Sequence, residues 1–268
     1  MQVDAALAAE EPFVLISVAK GVATLTLNRP ERFNPLSSQM IAAMQAQLDS
    51  IASNSSVGVV ILAAAGKGFC AGHDLKEMRA HTDDHGWQQG LFDACSRMMV
   101  ALTELPQPVI ARVQGVATAA GCQLVSMCDL AVAADTATFA TPGVNIGVFC
   151  STPAVGVVRN IGRKHTMEML LTGEPIDAAT ALSWGLINRV VPGSRLDDEI
   201  GRFTDIILSR SSATIRSGKQ TFYGQIDHPL GAAYDIASQA MACNLLLEDA
   251  AEGIDAFLQK RPAIWHGK

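Results

Sequence analysis

The sequence predicts a mixed α/β fold whose parallel sheet is followed by a helical C-terminal region. Three observations carry this. A pair of β-rich runs separated by Ala-Lys-Gly opens the chain, strand-like and helix-like segments then alternate, and after residue 191 the pattern is helical almost to the end. The expected layout is a flexible tail over residues 1–12, an α/β core over 13–195 and a helical region over 196–268.

Residues 13–18 and 22–28 are rich in Val, Ile, Leu and Thr and read as a hairpin. Residues 37–53 space Met40, Ile41, Met44 and Leu48 on one helical face, and 57–62 form a β-branched run suited to a strand buried on both sides. A long helix over 87–105, a strand over 109–113, a helix from about residue 120 and a strand over 130–133 repeat the alternation. Parallel strands joined by crossover helices follow from it. A last strand over 187–191 precedes helices near 195–209, 212–223, 230–246 and 249–260.

Among the 268 residues, 26 are acidic and 20 basic, and no dense basic run exists to track phosphates, so nucleic acid is not an expected partner. The longest apolar run, residues 57–65, is far short of the roughly 20 residues that cross a bilayer. The first residues show neither a basic-then-apolar signal nor an Arg/Ser-rich amphipathic pattern, which gives a cytoplasmic expectation. Six cysteines lie scattered in apolar segments without a C-x-x-C pair, so reduced, buried thiols are expected, no metal site is, and the cytoplasmic expectation rests on these thiols as well.

Two loops carry chemical promise. In GKGFCAGHDLKEM, residues 66–78, glycines permit close backbone approach, and Asp74 and Glu77 have N-cap and N3 spacing for a helix starting at Leu75. In GVATAAGCQLVSMCD, residues 115–129, Ala119, Ala120 and Gly121 lead into an apolar helix whose start carries partial positive charge. One backbone donor from each loop would suffice to hold a developing oxyanion.

Together with TPGVNIG at 141–147 and AFLQKRP at 256–262, these loops give a sequence that resembles the crotonase superfamily, the enoyl-CoA hydratase/isomerase family, from about Val14 to Arg261. The Ala-Ala-Gly-Cys-Gln-Leu stretch is most similar to its enoyl-CoA hydratase domain-containing group. The resemblance implies a core of repeated ββα units and a helical C-terminal region that assembles trimers or hexamers. It also implies a coenzyme A thioester as ligand, with coenzyme A entering as part of the substrate and no separate cofactor. The oxyanion donors fall on the backbone N–H groups of His73 and Ala120. Such donors favour an enolate-like oxygen over the ground-state carbonyl and serve lyase and isomerase reactions alike.

The departures from the family pattern matter as much. The two glutamates that manage water and its protons in a hydratase fall here on Gln123 and Gly143. An amide orients water without accepting its proton, and glycine has no side chain. The expectation is action on an unusual acyl-CoA with only weak ordinary hydration, and non-catalytic acyl-CoA binding is the alternative. For His73 the residues leave open whether the side chain takes part or only its N–H. Cys150 and Ser151 are read either as packing and turn residues or as chemistry, including a hydrolase that pairs Ser151 with His73. Gln123 serves either the helix start or the positioning of water or acyl group. Lys76, Phe257 and Lys260 match positions that reach the coenzyme A nucleotide in the family, the last two across a subunit contact; solvated side chains are the alternative.

Overall fold

The computed structural model describes residues 11–268; most of the expected 1–12 tail lies outside the described residues. Strands β1 (Val14–Ala19) and β2 (Val22–Leu27) form the antiparallel hairpin, turned at Lys20 and Gly21, both with positive φ. From β2 onward the sheet is parallel through β3 (Val59–Ala64), β4 (Val109–Val113), β6 (Leu130–Ala134) and β9 (Arg189–Val191). The short strands β5 (Ala117–Thr118), β7 (Thr138–Ala140) and β8 (Ile176–Asp177) make a second sheet.

Strand alternation decides what each face of the main sheet covers. Val60 and Leu62 of β3 point into the principal core, where they share a cluster with Met40, Met44 and Leu48 of α1 (Ser38–Ala52) and Leu91, Met98 and Leu102 of α3 (His85–Glu104). Val59, with Ile110 and Val132, faces the other way and meets Leu196 and Ile200 of α8 (Leu196–Leu208). The centre of the sheet is thus sandwiched between helices, and β3, β4 and β6 read as apolar runs because both their faces are covered, whereas the edge strand β1 is largely exposed.

Two short helices flank the candidate loops. Helix α2 (Leu75–Ala80) is capped by Asp74, which accepts from the N–H groups of Lys76 and Glu77 at 3.0 and 3.4 Å. The expected reciprocal capping box is only half formed. Glu77 turns away to α1, taking the Ser38 N–H at 2.9 Å and the Ser38 hydroxyl, while Asp74 N–H donates to Leu36. Helix α4 (Ala120–Met127) follows β5 directly. Sequence periodicity gave no warning of α5 (Ser151–Val157), α6 (Arg163–Thr172) or α7 (Ala178–Trp184), which are short and carry weak apolar patterns.

Three further helices, α9 (Ser212–Gln225), α10 (Leu230–Asn244) and α11 (Glu248–Gln259), complete the chain. A buried charge ties α9 to the core. The Lys219 ammonium donates to Asp129 Oδ2 at 2.6 Å and to the carbonyls of Leu102 and Gln107 at 2.9 and 3.0 Å. Asp129 also accepts from the Tyr223 hydroxyl at 2.9 Å and from the Val109 N–H at 2.6 Å. Much apolar surface stays open on these helices: Leu230 is 75% and Phe257 82% exposed.

Candidate active site

The two glycine-rich loops meet. Thr118 N–H donates to the Cys70 carbonyl at 2.9 Å, and Gly121 lies so close that a Cβ there would sit 2.1 Å from that same oxygen. Gly72, at φ +89°, presses on the second loop: a Cβ on it would stand 2.8 Å from Ala119 Cβ and 3.3 Å from Ala120 N. Both positions demand glycine because backbone occupies the side-chain space. His73 follows Gly72 immediately, so this contact brings the two expected donors to one place.

The backbone at Ala119 aims the second donor. Its φ of 50° and ψ of −119° are unusual for a residue with a side chain, and they turn the chain from strand β5 sharply into α4. Ala119 N–H is taken by the Ala140 carbonyl at 2.9 Å, whereas Ala120 N–H, first in its helix, has no acceptor among the described residues. The same holds for His73 N–H. Two unspent donors therefore stand at adjoining turns, one of them at a helix N-terminus.

A cavity of about 460 Å³ opens at these turns. Its lining includes His73, Ala120, Gly143, Cys150 and Ser151, so five of the sequence-derived site residues converge. Phe92 of α3, Met78 of α2 and Phe149 supply apolar wall; Met78 closes the first motif, whereas Phe92 and Phe149 lie outside the motifs, and helical periodicity alone assigned Phe92 no role. No Asp, Glu, Lys or Arg among the described residues lines it.

The polar side chains near this cavity are neutral. His73 packs edge-on against Phe92 with ring centroids 5.1 Å apart. Burial lowers its pKa to about 4, against a smaller opposing pull from Glu77, so the ring is uncharged at neutral pH. Its Nε2 is buried without a hydrogen-bond partner among the described residues. Ser151 Oγ donates to the Phe149 carbonyl at 3.5 Å, so Ser151 and His73 are not joined by a hydrogen bond. The Cys150 thiol is pushed up by burial and stays protonated.

Gly143, which the sequence resemblance matched to a family glutamate, has no room for a side chain. A Cβ at Gly143 would fall 2.3 Å from the Val148 carbonyl and 2.9 Å from Cys150 Sγ. The loop is closed over that space by the bond from Val148 N–H to the Gly143 carbonyl at 2.9 Å. Gln123 is 4% exposed, one helical turn beyond Ala120, and does not line the cavity; its Oε1 is buried without a partner. Thr141 Oγ1, just before Pro142 and Gly143, is likewise orphaned.

The remaining expected residues stand apart. Lys76 is exposed on α2, Phe257 is exposed on α11 and Lys260 caps α11 at φ 56°; none lines the cavity. Five cysteines are buried as expected, and Cys243 is exposed, contrary to the expectation for all six. Burial raises Cys70, Cys95 and Cys122 to about 12. No His, Cys, Asp and Glu side chains among the described residues are grouped to hold a metal, and no helix among them is long and apolar enough to cross a membrane.

A mixed α/β fold with two oxyanion-type donors over an apolar cavity defines a class that comparison with known proteins makes definite. The enoyl-CoA hydratase/isomerase family profile matches residues 17–268, and the chain belongs to that family, with the crotonase fold. It is similar to the rat mitochondrial enoyl-CoA hydratase domain-containing protein 3, 46% identical over 91% of this chain and 81% of the relative. The human protein of that name is 46% identical over 91% and 80%. An enoyl-CoA hydratase structure from Mycobacterium smegmatis superposes with a TM-score of 0.94 at 51% identity, covering 96% of this chain and all of the other. The crystal structure of the human protein gives 0.92 at 44% identity, over 95% and 100%.

These relatives correct one expectation. The rat, mouse and human proteins are named as mitochondrial, which overturns the cytoplasmic assignment. That assignment rested on the composition of the first residues, of which 1–10 lie outside the described structure, and on the expectation of reduced cysteines.

Proposed function

We propose that the protein binds acyl-CoA thioesters with the thioester oxygen between the N–H groups of His73 and Ala120, and that it hydrates ordinary enoyl-CoA only weakly. The observation that carries this reading is the pair of unspent N–H donors on residues lining a cavity that no carboxylate among the described residues lines. Oriented donors in a site with little water stabilise an enolate oxygen strongly, each typically contributing about 100- to 1,000-fold. Hydration also needs proton transfer, for which a positioned acid or base contributes roughly 100- to 10,000-fold. His73, with its pKa lowered to about 4, is a poor base, and Gln123 and Gly143 supply none.

Lys76 and, from a neighbouring copy, Phe257 and Lys260 are proposed to hold the nucleotide end of coenzyme A. The open apolar surfaces of α9 to α11 support assembly into trimers or hexamers, because faces this exposed and apolar are covered in stable proteins. Calorimetry with butyryl-CoA, joined to a crotonyl-CoA hydration assay, tests the reading. Binding with slow hydration is the expected result. Absence of binding overturns it, and so does hydration at a rate typical of enzymes with both glutamates.

A further inference from the structure

An enolate stabiliser must be given an enolate. From an acyl thioester one arises when Cα loses an electrofuge, and the two simple choices are a proton and carbon dioxide. Loss of a proton needs a base beside Cα. Here no Asp, Glu or Lys among the described residues lines the cavity, the neutral His73 ring is a weak base whose Nε2 is buried, and the Cys150 thiol is held protonated. The side-chain space at Gly143 is closed by the Val148 carbonyl and Cys150 Sγ. Loss of carbon dioxide needs no base at all.

The cavity also suits the second route on electrostatic grounds. A carboxylate on Cα would meet an apolar wall of Phe92, Met78 and Phe149 and the neutral polar side chains of Asn145, Ser151 and Thr152, with no Lys or Arg among the described residues to neutralise it and no acidic side chain to repel it. Neutral dipoles solvate its charge less well than a cationic partner would, at a cost met by contacts to the rest of the ligand. As the C–C bond lengthens, the charge moves to the thioester oxygen, where His73 and Ala120 N–H wait. Stabilisation is therefore concentrated in the transition state.

We infer that the cavity takes acyl thioesters bearing a carboxylate on Cα, the malonyl type, and releases carbon dioxide from them. The bond between Cα and the carboxylate carbon breaks, and its electron pair forms the enolate held by the two N–H groups. Carbon dioxide leaves, and water then protonates Cα; the hydroxide left behind is taken up by carbon dioxide as bicarbonate. No oxidant, metal or further reactant is required.

This inference rests on the proposed oxyanion site, and the test separates the two. The full-length protein is incubated in D2O with malonyl-CoA or methylmalonyl-CoA, and the products are followed by mass spectrometry, with butyryl-CoA affinity measured in parallel. Deuterated acetyl-CoA or propionyl-CoA should form at least 100-fold faster than in buffer. Ala120→Pro, which removes one donor at a helix position that tolerates proline, should lower that rate by roughly 100-fold or more. Should that variant fail to fold, Gly72→Ala disturbs the same junction by other means. Butyryl-CoA binding with no decarboxylation of either thioester overturns the inference and leaves the proposed binding intact. Decarboxylation that persists in both folded variants also overturns it. Failure to bind any thioester removes the site itself.

Discussion

Restoring a glutamate at position 143 is the obvious way to seek hydratase activity, and the structure predicts that the backbone will resist it. A Cβ at Gly143 would lie 2.3 Å from the Val148 carbonyl oxygen and 2.9 Å from Cys150 Sγ, and the first of these is backbone held by its own hydrogen-bonded turn. Even Gly143→Ala must push residues 147–150 outward. Overpacking of this kind costs about 1–3 kcal/mol, equivalent to a melting point lower by roughly 2–12 °C in a chain of this size. Adding Cys150→Ala relieves only the sulfur contact, so most of the loss should remain. Gly201→Ala in α8 is the control, because no atom lies within 4 Å of the added methyl, and it should be neutral or raise stability by up to about 1 kcal/mol. Differential scanning calorimetry of the three variants reads this directly. A Gly143→Ala protein that melts with the parent would refute the closed-loop account, and Gly143→Glu would again be a fair route to hydration.

Gly72→Ala should lower butyryl-CoA affinity at least 10-fold, measured by calorimetry, since the new methyl meets Ala119 and crowds Ala120 N. Lys219→Ala leaves the partly buried Asp129 without its ammonium and should cost about 2–4 kcal/mol in urea unfolding, a loss that an unchanged midpoint would contradict. The His73 pKa, lowered from 6.5 to about 4, means that the unfolded chain binds more protons between those values. Stability should fall as pH drops from about 6.5 to 4, by up to about 3 kcal/mol from this group, and His73→Gln should flatten that part of the profile.

The centre of the sheet was legible in the sequence because strands such as β3 are covered on both faces and therefore spell nearly unbroken apolar runs, as in residues 57–62. Helices α1, α3 and α8 to α11 were legible for the complementary reason that one face of each packs and the other does not. Helices α5 to α7 were not, since seven to ten residues with scattered apolar positions give no clear period. At the site, glycine spacing pointed to both loops, but the clash that fixes Gly143 depends on Val148 and Cys150 folding back over it, a tertiary contact invisible to motif matching. Phe92 entered the cavity from a helix that periodicity treated only as core. Lys219 was unreadable as well: a lysine on an amphipathic helix is ordinarily solvated, and only the fold brings Asp129 and two carbonyls around it.

The central claim is that two backbone N–H groups, from His73 and Ala120, grip the thioester oxygen. Infrared difference spectroscopy of butyryl-CoA labelled with carbon-13 at the thioester carbonyl tests it without relying on turnover. On binding at saturation, the labelled carbonyl band should move to lower frequency, as two hydrogen bonds weaken the C=O bond, and in Ala120→Pro the bound ligand should show a smaller displacement. A band that keeps its frequency in water while calorimetry shows the ligand fully bound would contradict the claim.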